Sequence, residues 1–300
     1  MTVVAAAHFA VLLVMTHWQV QGRAFPFGVF QILQTVVNLG LSVWLVVSWG
    51  HGWRGRVEAQ VVTALAFAGA GMVVLARDGW LRYSYSRQDV REAIRFGLPL
   101  VPHELGSTLI AQTDRLFIAN IVSLADAGVY SVAYQLTSII ELVAASFNQA
   151  FSPWLFRMLA QRPSLELLRV IVKYTYVCFA VMAGFALTVA LLLPYVLSHV
   201  VGDAFAGAAR FTPWLAIGFM FSGMYYLVAN YIFFAKRTEL IPLITVSCAL
   251  VNLGLNAVLV PRNGAVGAAQ ASAAALALSF VGTWYLSTRA YKMPWSLKRC

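Results

Sequence analysis

Apolar residues in this chain come in runs of about 18 positions or more, separated by short polar breaks, which is neither the alternation of a half-buried strand nor the striping of a soluble helix. A bilayer-spanning helix needs about 20 mostly apolar residues. Runs of that kind predict spans near 2–18, 28–49, 57–76, 97–121, 127–150, 170–194, 211–235, 239–260 and 264–287. The first is short, and only Ser123–Asp126 separates the fourth from the fifth. The pattern therefore predicts an all-α, polytopic membrane protein with about nine transmembrane helices.

Composition agrees. Hydrophobic residues make up 61% of the 300 positions and charged residues 11%, against about 45–50% and about 25% in soluble domains. A net charge of +10 would suit a nucleic-acid binder only if the cations shared a solvated face. They lie between apolar runs instead, so no nucleic-acid partner is expected. Cys178 and Cys248 fall inside apolar runs and Cys300 ends the chain, so small apolar fillers, and no redox chemistry, are expected.

The cations do set an orientation, because cytoplasmic loops carry the Lys and Arg excess. With the C-terminus cytoplasmic, sixteen of the 21 fall in inside segments, including Arg77, Arg82, Arg87, Arg91, Arg95, Arg157, Arg162, Arg169, Lys236 and Arg237. Arg54, Arg56, Arg210 and Arg262 fall outside, and Arg115 alone lies within a span. Trp44, Trp49, Trp53, Trp80, Trp154, Tyr195, Trp214, Trp284 and Trp295 sit near span ends, as interfacial anchors do. Nine spans then put Met1 outside, and residues 1–18 have no basic n-region or cleavage site.

The sequence contains a repeat. VNLGLSVWLV at 37–46 and VNLGLNAVLV at 251–260 share seven of ten residues at an offset of 214, with Arg23 matching Arg237 and Gly50 matching Gly264. At an offset of 212, Gly52-Trp53-Arg54-Gly55 parallels Gly264-Ala265-Val266-Gly267. This sets the second span against the eighth, which gives a six-helix unit in two parallel copies, a known transporter construction. Spans four to nine form a complete bundle and spans one to three the last half of a pseudo-twofold related one. Three further helices before Met1, in a protein of twelve spans, are the expectation. The predicted division is residues 1–76, a cytoplasmic linker at 77–95, a second bundle at 96–288 and a cytoplasmic tail at 289–300. The linker, RDGWLRYSYSRQDVREAIR, suits either a solvated connection or a helix on an anionic leaflet. The other long polar connection is 151–169.

Ionisable groups within a span are costly and usually face a cavity or a partner. The fourth span carries His103, Glu104, Asp114 and Arg115; His103 and Asp114 lie about 20° apart around a helix, as do Glu104 and Arg115. The fifth places Tyr134, Glu141 and Asn148 at heptad spacing with Ser138 nearby, the second Gln31, Asn38 and Ser42, and the eighth Thr245, Asn252 and Asn256. Such faces either line a central hydrophilic cavity between the bundles or glue helices by hydrogen bonds. Asp114 and Arg115 could also pair structurally. His8 and His17 belong to the first span. No HExxH, GxSxG, Walker A or CxxC motif is present and the outside loops are short, so no enzyme and no tightly bound cofactor are expected.

Residues 93–140 open with Phe96, Gly97 and Pro99, place Asp114 further along the helix, and continue to Gly128, Tyr130 and Ala133. This order resembles the start of the second half of the polysaccharide transporter (O-antigen flippase) branch of the multidrug/oligosaccharidyl-lipid/polysaccharide exporter superfamily. GRAFPFGVFQILQTVVNLGLSVWLV and ALVNLGLNAVLVPRNGAVGAA resemble the fifth and eleventh helices of such proteins. The resemblance implies twelve to fourteen helices in two bundles and a central cationic cavity. It also implies alternating access that moves an undecaprenyl-diphosphate-linked oligosaccharide across the cytoplasmic membrane, beside membrane lipids and polysaccharide-assembly proteins.

On that reading Arg115 and His103, with Arg95 and Arg237, are candidates for the diphosphate. Gln112, Asn120, Asn148 and Asn252 are candidates for sugar hydroxyls, and Asp114 or Glu141 for coupling to a proton or sodium gradient. A cation-coupled drug exporter of the same superfamily, which would favour acidic cavity groups, a membrane-embedded polysaccharide polymerase or ligase, and an inactive fragment are the alternatives.

Overall fold

A computed structural model describes residues 2–81, 86–161, 163–197 and 203–296. Met1, Arg82, Arg162, Lys298, Arg299 and Cys300 lie outside the described residues, as does the side chain of Trp53. The chain divides into two compact units, Met1–Ser86 and Arg87–Cys300. Among the described residues both units are helical, without strands.

Unit 1 consists of α1 (Thr2–Gln21), α2 (Ala24–Val43), which continues as a π-helical stretch over Trp44–Ser48, and α3 (Trp53–Arg77). Helix α3 packs on both α1 and α2, with Val14, Trp18 and Leu75 in one buried cluster and Ala7, Val11, Ala64 and Ala68 in another. Unit 2 consists of α4 (Arg87–Gly97), α5 (Leu100–Ile121), α6 (Leu124–Thr137), α7 (Ile139–Ala160), α8 (Leu165–Val196), a 3-10 turn over Asp203–Arg210, α9 (Thr212–Phe234), α10 (Leu240–Asn263) and α11 (Ala265–Ala290). Its core lies around α9 and α11, where Tyr130, Phe211, Val228 and Ala268 are fully buried.

Seven helical stretches are long and apolar enough to cross a membrane, with α6 and α7 taken together as one. Helices α1 and α5, of 20 and 22 residues, are also long enough, and α5 carries four ionisable groups. Many large apolar side chains point outward, among them Phe9, Leu187, Leu191, Leu250 and Val281, which is the surface lipid requires and water penalises. The protein is a multi-pass membrane protein.

Of the two expected polar connections, the one at 151–169 differs in the structure and the one at 77–95 is helical in its second half. Residues 151–160 are helical, because Leu155 and Leu159, one turn apart, are buried against Ile171, Val172 and Tyr231 and extend the packed face of α7. The connection shrinks to 161–164, where Ser164 caps α8 by accepting from the Leu167 amide. In the 77–95 segment, Arg87–Gly97 forms α4, with Arg87, Arg91 and Arg95 one turn apart and Val90 and Ile94 exposed.

The repeat is visible in backbone detail. At the α1–α2 turn the Gly22 amide donates to Gln19 and the Arg23 amide to Trp18; at the α9–α10 turn Lys236 donates to Phe233 and Arg237 to Ile232, the same pattern 214 residues on. Such a turn needs a left-handed residue, and Gly22 (φ 71°) and Lys236 (φ 55°) supply it. Gly52 before α3 (φ 55°, ψ −136°) and Gly264 before α11 (φ 60°, ψ −148°) share a conformation. His51 meets Glu58 at 2.8 Å as Asn263 meets Gln270 at 2.8 Å, both pairs related by 212. Gly55 lies against Leu45 and Gly267 against Leu259. The register is therefore 214 for α2 against α10 and 212 for α3 against α11. The two-residue difference falls in the π-helical stretch and turn of unit 1.

Candidate functional site

Helices α5 and α10 carry the polar side chains of unit 2 into contact. Thr238 donates to the Phe96 carbonyl at 2.9 Å, His103 Nδ1 meets Thr245 Oγ1 at 2.7 Å, and Asn256 donates to Asp114 at 3.0 Å. All three pairs are 142 residues apart, so the helices run parallel and in register. The spacings of seven and eleven residues are whole helical turns, which is why the stripe falls on one face. Thr245 Oγ1 also lies 3.2 Å from the Ile241 carbonyl oxygen of its own helix.

Asp114 is fully buried. Its Oδ2 accepts from Ser272 Oγ of α11 at 2.6 Å and from the Tyr130 hydroxyl of α6, and its Oδ1 accepts from Asn256 of α10. Asn256 also donates to Asn252 Oδ1 at 3.2 Å, and Asn252 donates to Ser272 at 3.3 Å. Among the described residues no Lys, Arg or His pairs with Asp114. Beside it, Asn256 Oδ1 is buried without a hydrogen-bond partner, a costly arrangement in an apolar interior. A carboxylate next to an unpartnered amide oxygen is a set of hard oxygen donors.

A cavity of about 390 Å³ opens beside this cluster. Its ionisable lining is His103, Glu104 and Glu141, and no Lys or Arg among the described residues reaches it. Tyr134, Tyr225, Tyr226 and Phe219 form aromatic wall, with Ser222 and Ser279 between them. Glu141 Oε1 accepts from Ser222 at 2.9 Å and Tyr226 at 3.0 Å, both on α9. The helix break at Ser138 sets Glu141 in the first turn of α7, where a carboxylate is favoured by the orphan backbone amides. The hydroxyls of Thr137 and Ser138 bond back to Ala133 and Gln135 at the same place, a local competitor of the helical ladder.

Of the sequence-predicted residues, His103 and Glu141 line this cavity, and Asp114 and Asn252 belong to the buried cluster beside it. Arg115 turns away from Asp114; it donates to Gln112 at 2.8 Å and Ser131 at 3.1 Å and lies over the Tyr134 ring at 4.7 Å. Asn120 is exposed and donates to its own helix at Leu116. Asn148 accepts from Asn230 at 2.7 Å and ties α7 to α9. Ser272, Ser222, Tyr225 and Tyr226 were not singled out by the sequence, since single hydroxyls in apolar runs carry no periodic signal.

Residues 4–159, just over half of the chain, match the family model described as polysaccharide biosynthesis protein. A protein of the Lsg locus of Haemophilus influenzae is 25% identical over 233 residues, which cover 74% of this chain and 56% of that protein. An uncharacterized membrane protein of the same organism is 21% identical over 240 residues, 79% of this chain and 59% of its own length. The chain thus spans less than two thirds of either relative. Among solved structures, a MATE protein in complex with MaL6 superposes with a TM-score of 0.78 at 13% identity, over 93% of this chain and 66% of that one. An outward-facing multidrug resistance MATE family transporter of the MOP superfamily gives 0.70 at 16% identity, over 96% and 68%. These likenesses show a MATE-like fold.

Proposed function

The chain belongs to the polysaccharide biosynthesis protein family, and on that premise we propose that it moves a lipid-linked oligosaccharide, carried on undecaprenyl diphosphate, across the cytoplasmic membrane by alternating access, with its C-terminus in the cytoplasm. Family membership carries this reading. Its physical basis is that sugar and diphosphate cannot cross hydrocarbon without leaving their hydration behind, which costs several kcal/mol for each unsatisfied polar group. The cavity beside Asp114 offers hydroxyls and tyrosine faces, which suit sugar hydroxyls and sugar rings. Asp114, with the free oxygen of Asn256, is the place where a proton or sodium ion couples transport to a gradient. Glu141, held by Ser222 and Tyr226 and lining the cavity, is the second candidate for that coupling.

Deleting the gene in its own host, quantifying lipid-linked oligosaccharide by mass spectrometry and assigning its leaflet with an impermeant probe tests the proposal. Complete units accumulating on the cytoplasmic face are the expected result. Normal surface polysaccharide with no accumulation would overturn it, and shortened chains would point to a polymerase.

One observation favours a second reading, export of an organic cation. The cavity holds Glu104, Glu141 and His103 but no Lys or Arg among the described residues, and carboxylates with aromatic walls suit ammonium groups. Resistance to cationic dyes that disappears with the gene, at unchanged polysaccharide export, would decide for it.

A further inference from the structure

Helix α4, the first element of unit 2, is exposed along its length, with every side chain from Arg87 to Phe96 open to the surroundings. The sequence RQDVREAIRFG sorts these side chains by chemistry. At about 100° per residue, Arg87, Arg91 and Arg95 cover about 80° of the helix, and Val90, Ala93, Ile94 and Gly97 cover about 100° beside them. Asp89 and Glu92 lie on the remaining side. Glu92 accepts from Gln88 at 3.3 Å, and no carboxylate pairs with the three arginines among the described residues.

A second observation fixes the roll of the helix. Thr238, fully buried just before α10, donates to the Phe96 carbonyl at 2.9 Å, and the Phe96 ring lies 6.4 Å from that of Phe233 on α9. Phe96 stands about 140° around the helix from the middle of the arginine row, so the row is turned away from α9. The apolar face is followed in the chain by Leu98, Val101 and Leu105, all exposed.

We infer that α4 is a docking helix for an anionic lipid leaflet, with Val90, Ala93 and Ile94 entering the boundary between headgroups and acyl chains and the arginine row reaching lipid phosphates along its edge. A helix with a strongly basic edge and an apolar face lies in the plane of an interface, and long cationic stems keep their carbons in the apolar layer while the charge stays at the headgroups. Charge decides for an anionic over a zwitterionic surface. Like charges on successive turns oppose one another, and an anionic surface both removes that opposition and attracts each cation. A protein partner fits less well, because Val90 and Ile94 alone offer too little apolar surface for the buried core of a stable interface. Docking requires only that the chain spans a bilayer, whatever it transports.

The test uses the full chain, without native thiols, in nanodiscs of phosphatidylcholine alone or mixed with phosphatidylglycerol. A polarity-sensitive bimane is placed at Val90→Cys, Ile94→Cys or Gln88→Cys. In the mixed discs the probes at 90 and 94 are expected to emit as in an apolar medium and to be quenched by lipid-borne nitroxides, while the probe at 88, opposite the apolar face, emits as in water. A second readout is the lipid retained by the purified protein after extraction from mixed membranes. Enrichment of phosphatidylglycerol is expected in the wild type, reduced about fivefold or more in the combined Arg87→Gln, Arg91→Gln and Arg95→Gln variant and unchanged in Arg262→Gln. Water-like emission at all three positions would overturn the inference and leave the face to a protein partner. Equal retention of both lipids by the wild type, or unchanged enrichment in the combined variant, would overturn it as well. If the combined variant is not monodisperse, Arg91→Gln takes its place, and enrichment reduced about twofold or more is expected.

Discussion

Asp114 on α5 and Ser272 on α11, 158 residues apart, share a hydrogen bond of 2.6 Å at a site with no access to solvent. With Tyr130 and Asn256 the bond draws α5, α6, α10 and α11 onto one carboxyl group. A charge at such a site is costly unless it is compensated, and the protein supplies donors but no cation among the described residues. Three hydrogen-bond donors therefore take the place of a counter-charge at this carboxyl group.

Replacing Asp114 separates its two roles. Asp114→Asn keeps the shape and one oxygen, so a folded protein whose transport no longer responds to an imposed ion gradient is expected, read in proteoliposomes. Asp114→Ala leaves three donors unpaired at about 1–3 kcal/mol each and is expected to lower the unfolding midpoint in detergent sharply. Gradient-dependent transport surviving in Asp114→Asn would remove the coupling role.

Glu141→Gln retains an oxygen for Ser222 and Tyr226 and removes only the charge. An unfolding midpoint close to that of the wild type is expected, with transport about tenfold slower, which corresponds to about 1.4 kcal/mol of barrier. Undiminished transport would leave Glu141 a helix tie.

The spans were legible because lipid imposes one long apolar pattern, and the repeat because Asn and paired Gly recur where hydrophobicity alone does not demand them. Turn geometry at Gly22 and Lys236, and at Gly52 and Gly264, bears that register out. The break at Ser138 was not legible, since residues 127–150 read as one apolar run while the Thr137 and Ser138 hydroxyls interrupt it locally. Tyr134 and Glu141 still reach one cavity, although the heptad spacing that joined them crosses two helices. Partners such as Ser272 and Tyr226 are set by tertiary packing, to which a single sequence gives no access. Arg56 read only as one of four outside cations, because a single sequence does not show that its guanidinium reaches Asn38 and Ser42.

The repeat also predicts unequal tolerance at equivalent glycines. A Cβ on Gly267 would lie 2.2 Å from the Leu259 carbonyl oxygen, whereas one on Gly55 would meet its nearest neighbours at 3.1 Å. Gly267→Ala is therefore expected to cost about 1–3 kcal/mol and Gly55→Ala less, measured by unfolding in a denaturing detergent. Equal costs would mean that the α10–α11 turn relaxes as freely as the one before α3.

Orientation can be checked at the same turns. On the proposed orientation the excess of Lys and Arg at 77–95 and 151–169 predicts that those segments are cytoplasmic, and that the turn before α3 and the turn before α11 are each outside. In a background without native thiols, a cysteine at His51 or Asn263 is expected to react with an impermeant maleimide in intact cells. One at Gln88 or Gln161 is expected to react only after the membrane is opened. All four positions are at exposed or half-exposed helix ends and loops, so failure to react would not come from burial. Labelling of Gln88→Cys in intact cells would invert the whole topology.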